Sequence, residues 1–152
     1  MLAEERWFIT RPDELRGGVD GEVRRLRDIA RNDASLCLVA RGEQSVLGLL
    51  VLTGGPLARM RHTSKLEVMV DASVRGQGLG RALVQASVEW LDAHPTVEKL
   101  GLSVFDDNER AIALYRSLGF VEEGRRPREY KLADGSYRGD VLLYRWKGGQ
   151  FP

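Results

Sequence analysis

Three alternating glycines, Gly76, Gly78 and Gly80, stand between Arg75 and Arg81, just after an apolar run that ends at Val70. These residue types in this order suit an anion, and a phosphate above all. Glycine lets backbone N–H groups converge on a ligand with no side chain in the way. Beyond the loop, Leu79, Leu83, Ala86 and Trp90 fall at helical spacing. The turn therefore opens into a helix whose first N–H groups and positive dipole end meet the same point. Two other phosphate binders are excluded. No Lys-Ser/Thr follows the glycines, as a nucleotide-hydrolysing loop requires. A dinucleotide fingerprint needs another glycine where Arg81 and Ala82 follow Gly80, and an acidic residue closing the next strand. Taken alone, such a turn is as often a plain turn as a binding loop.

The elements that must hold this loop are legible on both sides of it. Residues 36–41 and 46–52 are β-rich runs separated by the polar turn Gly42–Ser45, a hairpin pattern. A Gly/Pro/Arg-rich loop leads to Lys65–Val70, where Leu66, Val68 and Val70 alternate with Glu67 and Met69. The helix from Leu79 is stopped by His94-Pro95. Residues 99–105 read as another strand. Asp106-Asp107-Asn108 offers helix caps, and Ala111, Leu114, Tyr115 and Leu118 form an apolar stripe closed by Gly119. Two strands, about 120–132 and 137–146, meet at the hairpin signal Asp134-Gly135. The order implies an α/β sheet with antiparallel flanks and a parallel centre.

Composition narrows the classes further. With 43% hydrophobic and 30% charged residues, the chain suits one globular domain rather than a disordered one. Lys and Arg (23) nearly cancel Asp and Glu (22), so no bulk field favours nucleic acid or an acidic membrane. Cys37, the single cysteine, lies in the apolar run Leu36–Ala40 and reads as a buried thiol behaving as a small hydrophobe. With no disulfide to form and no apolar core in Met1–Thr10, a cytoplasmic protein is expected. No His/Cys cluster is present to hold a metal.

Two motifs in order carry a family resemblance. Arg75-x-x-Gly78-x-Gly80, following a strand with Glu67, resembles the coenzyme A signature of the GCN5-related N-acetyltransferase (GNAT) family. Asn108-Glu109-Arg110-Ala111-Ile112-Ala113-Leu114-Tyr115 through Phe120 looks like that family's second motif, and the strand pair around Asp134-Gly135 is similar to its ending. The likeness covers residues 36–146 and is nearest to bacterial small-molecule and amino-acid N-acyltransferases. It implies a mixed sheet with splayed central parallel strands, flanking helices and a C-terminal antiparallel hairpin.

The resemblance also implies roles. The pantetheine arm of acetyl-CoA would lie against the backbone of Met69 and Val70. The pyrophosphate would sit on the N–H groups of Gln77, Gly78, Leu79, Gly80 and Arg81, with Arg75 and Gly76 shaping the turn. Asn108 matches an amide near the pantetheine arm, and is equally a plain helix cap. Tyr115 aligns with a general acid for the coenzyme A thiolate; its alternative is an aromatic anchor in the core. Glu67 matches a carboxylate that deprotonates the amine, directly or through water, or else is a surface ion pair with Lys65 or Arg61. His62 stands in the loop before that strand and offers a lesser acceptor-side candidate. Trp7, Phe8, Trp90 and Trp146 read as core or sheet-facing anchors. The arginines of 59–61 and 125–128 are basic enough to hold a 3′-phosphate or an acidic substrate, against the plainer reading of solvated faces.

The front of the chain departs from the pattern. Residues 1–35 hold room only for a short strand at Arg6–Thr10 and one helix near Asp20–Arg31, before a core at 36–146 and a frayed tail at 147–152. A shortened front leaves a sheet edge to cover, for which a homodimer is a reasonable device. The expected activity is acetyl transfer from acetyl-CoA to a small-molecule amine by direct attack in a ternary complex, with no metal. The alternatives are a non-catalytic acyl-CoA-binding module and a protein or peptide N-acetyltransferase.

Overall fold

The computed structural model describes Trp7 and residues 17–149. Helix α1 (Gly18–Ile29) precedes strands β1 (Leu36–Arg41), β2 (Val46–Gly54) and β3 (Thr63–Val70). Helix α2 (Leu79–Ala93), strand β4 (Lys99–Phe105) and helix α3 (Glu109–Ser117) follow, and β5 (Val121–Lys131) and β6 (Tyr137–Trp146) close the fold. The expected strand at Arg6–Thr10 lies outside the described residues, Trp7 apart.

The six strands form one sheet in the order β1-β2-β3-β4-β6-β5. Every neighbouring pair is antiparallel except β3 and β4, so the parallel step expected at the centre is there. That step is short. Only Thr63, Ser64 and Lys65 pair with Lys99, Leu100 and Gly101, and beyond them the two strands no longer share a ladder.

Alternation decides which face each strand gives to the core. Leu50 and Leu52 of β2, Leu66 of β3, Leu100 and Leu102 of β4, and Val141 and Leu143 of β6 are buried on one face. Against them pack Leu83, Val84, Val88 and Leu91 of α2, with Ile112 and Tyr115 of α3. Helix α1 packs against β1 on the sheet. Pro95 ends α2 as expected: the backbone turns extended at His94, whose Nδ1 accepts from the N–H groups of Thr96 and Val97.

Two expectations need correcting. Cys37 is exposed, not buried: the core face of β1 takes Leu36, Leu38 and Ala40 and turns Cys37 and Val39 to the α1 face, where α1 leaves both exposed. The apolar run had the look of a strand buried on both sides. The chain after β6 is also held as far as Gly149. Lys147 Nζ donates to the His94 carbonyl, and the Gly148 N–H donates to Asp92 Oδ1 at 2.9 Å.

Candidate functional site

The glycine loop is built by local bonds before any ligand is considered. Asp71 accepts from the N–H of Ser73 at 3.0 Å and from its hydroxyl at 2.6 Å, which turns the chain out of β3. These bonds hold the Asp71 carboxyl below its usual range. Arg75 folds back and donates from Nε to the Val70 carbonyl at 3.0 Å, clamping the turn to the strand end. Gly76 and Gly78 both take left-handed backbone, with φ of 84° and 89°, where a side chain would be strained. Gly78 is the N-cap of α2 and supplies no capping side chain, and no acidic residue lies in the first turn. Among the described residues, then, no capping or first-turn side chain accepts from the first N–H groups of α2. A cation, Arg81, sits there against the helix dipole, its Nη2 donating to Ser117 Oγ of α3 at 2.7 Å. An uncapped helix start ringed by guanidinium groups is chemically suited to phosphate.

Helix α3 begins in the opposite state. Asn108 Oδ1 accepts from the Ala111 N–H at 3.2 Å, so its cap reading holds. Arg110 follows, with Nη2 3.3 Å from where a Cβ on Gly76 would stand. The sequence reading had no role for Arg110. Its signal is positional: α3 lies beside the loop, so the first-turn residues of α3 face the glycines.

Tyr115 is placed by the end of α3. Gly119 takes a φ of 82°, and its N–H donates to the Arg116 carbonyl, while the Phe120 N–H donates to the Tyr115 carbonyl. This pair of bonds is the Schellman ending, which brings the residue after the glycine against the last helical turn. The Phe120 ring accordingly meets the Tyr115 ring edge-on at 5.8 Å. Tyr115 is 8% exposed, and burial pushes its hydroxyl up to about 12. The anchor reading and the chemical reading are therefore compatible in one residue.

Between these parts lies the split. Val70 and Met69 pair with Gly48 and Leu49 of β2 on one side and have no strand partner toward β4. An extended ligand can occupy that unpaired edge. Leu66 and Val68 join the core that holds Tyr115, so Glu67 projects from the opposite face of the same strand. It is half-exposed and paired with Lys65 at 3.7 Å and with Arg25 of α1 at 3.8 Å. The ion pair expected for it is thus present, with Arg25 in place of Arg61. Arg25 is itself held by Glu22 through bonds of 2.9 and 2.7 Å. Glu67, Arg25, Ile29 and Met60 line a cavity of about 450 Å³ on this face.

His62 is not part of this arrangement. It lies at the closed end of β3 and β4, its carbonyl accepting from Glu98 and Lys99 and its ring 6.4 Å from that of Trp146. No group of three or more His, Cys, Asp or Glu able to hold a metal occurs among the described residues. No helix among them is long and apolar enough to cross a membrane.

A model of the acetyltransferase (GNAT) family matches residues 3–120. The L-amino acid N-acetyltransferase AaaT of Escherichia coli (strain K12) is 32% identical over 100 residues, which is 66% of this chain and 61% of that protein. The [ribosomal protein bS18]-alanine N-acetyltransferase of the same strain is 43% identical over 76 residues, 50% of this chain and 49% of its own length. The chain thus spans between about half and three-fifths of these two relatives. A crystal structure of an acetyltransferase of the GNAT family from Streptococcus pneumoniae superposes with a TM-score of 0.85 at 24% identity, over 94% of this chain and 84% of that one.

Proposed function

The chain belongs to the acetyltransferase (GNAT) family, and we propose that it transfers an acetyl group from acetyl-CoA to the amine of a small molecule. One observation carries this reading: an uncapped, arginine-ringed helix start stands beside a strand edge left open by the β3/β4 split. Phosphates suit the first and an extended pantetheine arm suits the second. The residues assigned to the donor are Met69, Val70, Arg75, Gly76, Gln77, Gly78, Leu79, Gly80, Arg81 and Asn108, with Arg110 added beside Gly76.

Acetyl-CoA supplies a thioester, an acyl group open to attack by a neutral amine. The chain's own residues do the rest. Glu67, on the α1 face, takes the proton that an ammonium must lose before its nitrogen can attack. Tyr115, on the α2/α3 face, donates its hydroxyl hydrogen to the sulfur as the carbon–sulfur bond breaks. Acid and base then act from opposite sides of the sheet, with the acetyl group between them. A cavity of the size beside Glu67 suits a small acceptor. The two relatives are named for an L-amino acid and for the alanine of a ribosomal protein, so a peptide amine is the second acceptor class to screen.

Calorimetric titration of acetyl-CoA tests the donor site, with Gly80→Ala as the informative variant. A Cβ at Gly80 would stand 3.6 Å from Val70 Cγ2 and 3.9 Å from Leu114 Cδ2, ordinary contacts. The variant should therefore fold at least as stably as the parent, since alanine favours a helix over glycine by up to about 1 kcal/mol. On the proposed placement it should nonetheless bind acetyl-CoA about tenfold more weakly, because the methyl adds bulk beside Val70, at the strand end the pantetheine arm would follow. Unchanged affinity in Gly80→Ala removes the cradle from this loop.

A further inference from the structure

Helix α1 carries Glu22 and Arg25 three residues apart, a spacing that brings side chains together on one helical face. The pair forms a fork: Arg25 Nε donates to Glu22 Oε2 at 2.9 Å and Nη2 donates to Oε1 at 2.7 Å. These bonds hold the Glu22 carboxyl below its usual range. The nitrogen left over, Nη1, faces Glu67 Oε2 at 3.8 Å. Lys65 Nζ faces the other oxygen of Glu67, Oε1, at 3.7 Å. Both distances exceed hydrogen-bond reach, so each cation attracts an oxygen without occupying its lone pairs.

An arginine in this position is a hazard to a base. Only a long side chain can cross from α1, packed on β1, over β2 to Glu67 on β3. The Arg25 and Glu67 side chains are 40% and 47% exposed and line the same cavity, so both have room to move. A guanidinium free to turn would meet Glu67 with two parallel bonds, the geometry this pair of groups prefers. Both carboxylate oxygens would then be engaged, and an acceptor N–H would meet a base already spoken for. Glu22 stands in the way of that outcome, because it occupies the Nε and Nη2 side of the guanidinium. Glu22 is not itself among the residues lining the cavity, and it reaches Glu67 only through Arg25.

We propose that Glu22 is a positioning residue for acetyl transfer: by forking Arg25 it keeps a cation beside Glu67 and stops that cation from closing on the carboxylate. This rests on the acetyl-transfer reading above, with Glu67 as the base. The carboxylate is then oriented by a charge at each oxygen, while its lone pairs stay open to the acceptor. A sharp consequence follows for paired substitutions. Removing Glu22 releases Arg25 to quench the base, whereas removing Arg25 takes the quencher away. Loss of Glu22 therefore harms the reaction only while Arg25 is present.

Coenzyme A release is followed on the full chain at saturating acetyl-CoA, with alaninamide and butylamine as probe acceptors. Alanine and methionine are both good helix formers, so Glu22→Ala and Arg25→Met leave α1 formed, which melting temperatures check. Each variant breaks the same fork, so a role confined to holding α1 makes the two equally harmful. Under the proposal, kcat/KM for the acceptor falls about fivefold in Glu22→Ala, the upper end for an exposed ion pair, and at most about twofold in Arg25→Met. The double variant returns to the Arg25→Met value, and acetyl-CoA affinity is unchanged throughout. A crystal structure of Glu22→Ala should show Arg25 within hydrogen-bond distance of both Glu67 oxygens. Equal losses in the two single variants, a double variant no faster than Glu22→Ala, or an Arg25 that keeps its parental position overturns the assignment and leaves acetyl transfer standing. Parental turnover in Glu67→Gln overturns the base role and the positioning role together. Tight acetyl-CoA binding by the parent with turnover of neither probe overturns the small-amine reading as well.

Discussion

A tyrosine hydroxyl pushed up to about 12 keeps its proton at every pH where an amine can be acetylated. That suits a donor, but it also limits what Tyr115 can do. A thiol has an ordinary value of about 8.5, so complete transfer from Tyr115 to a thiolate is uphill by about 5 kcal/mol. The hydroxyl's main contribution is then a hydrogen bond to the charge growing on sulfur, with full transfer only as the buried thiolate becomes more basic. Tyr115→Phe should lower turnover about a hundredfold at neutral pH and leave acetyl-CoA affinity alone; equal turnover would end the role. The same burial has a signature in stability. The folded value lies above the ordinary 10, so the folded protein holds this proton more tightly than the unfolded chain does. The resulting stabilisation is complete below pH 10 and is lost as pH rises toward 12, about 3 kcal/mol in all. Chemical denaturation at pH 9 and pH 11.5 should show a smaller drop in Tyr115→Phe than in the parent.

Helices α2 and α3 begin side by side in contrary states, one open and one capped. Asn108 serves α3 through its carbonyl oxygen, which leaves its amide N–H₂ available to a ligand. The two jobs can be separated. Asn108→Asp keeps a capping oxygen and loses the donor, whereas Asn108→Ala loses both and should cost about 1 kcal/mol of stability. If the amide meets the pantetheine arm, Asn108→Asp should melt like the parent yet bind acetyl-CoA more weakly by calorimetry. Equal binding would leave Asn108 as a cap alone. At this scale much of the molecule was readable in the chain. Strand 99–105, the hairpin turn at Asp134-Gly135 and the α3 stop at Gly119 stand where periodicity and turn chemistry put them. What could not be read is which face of a strand is covered, hence the misplacement of Cys37. Nor can local spacing say which loop lies at the open end of the sheet, hence the hopes for His62. Arg110 escaped notice for the same reason, because it draws its interest from Gly76, a neighbour distant in sequence.

For the whole molecule, near-neutral charge leaves packing surfaces to decide association. Among the described strands β1 is an outer edge of the sheet, and Val39 and Val46 on this outer hairpin are half-exposed. We expect a homodimer that covers this side, seen by light scattering at micromolar concentration; a monomer there would remove the idea. Helix α1 adds Val19, 81% exposed, to the apolar surface.

The opposite edge is treated differently. Strand β5 carries Glu122, Glu123, Arg125, Arg126, Arg128, Glu129 and Lys131, with Pro127 among them, and so resists pairing with a foreign strand. The split between β3 and β4 has no such guard: Val68, Met69 and Val70 face Val104 and Phe105 with open backbone and no charge. Position protects it instead. Unpaired strand is dangerous where another chain can lie along it, and here each open edge is walled by the other, with sheet continuing on both sides. A fibril-forming segment would have to bring a whole second sheet with it. A single thread of ligand needs no such room. The fold can thus keep a sticky strand exposed to a cosubstrate while hiding it from aggregation, and that freedom comes from ending one parallel ladder after three residue pairs.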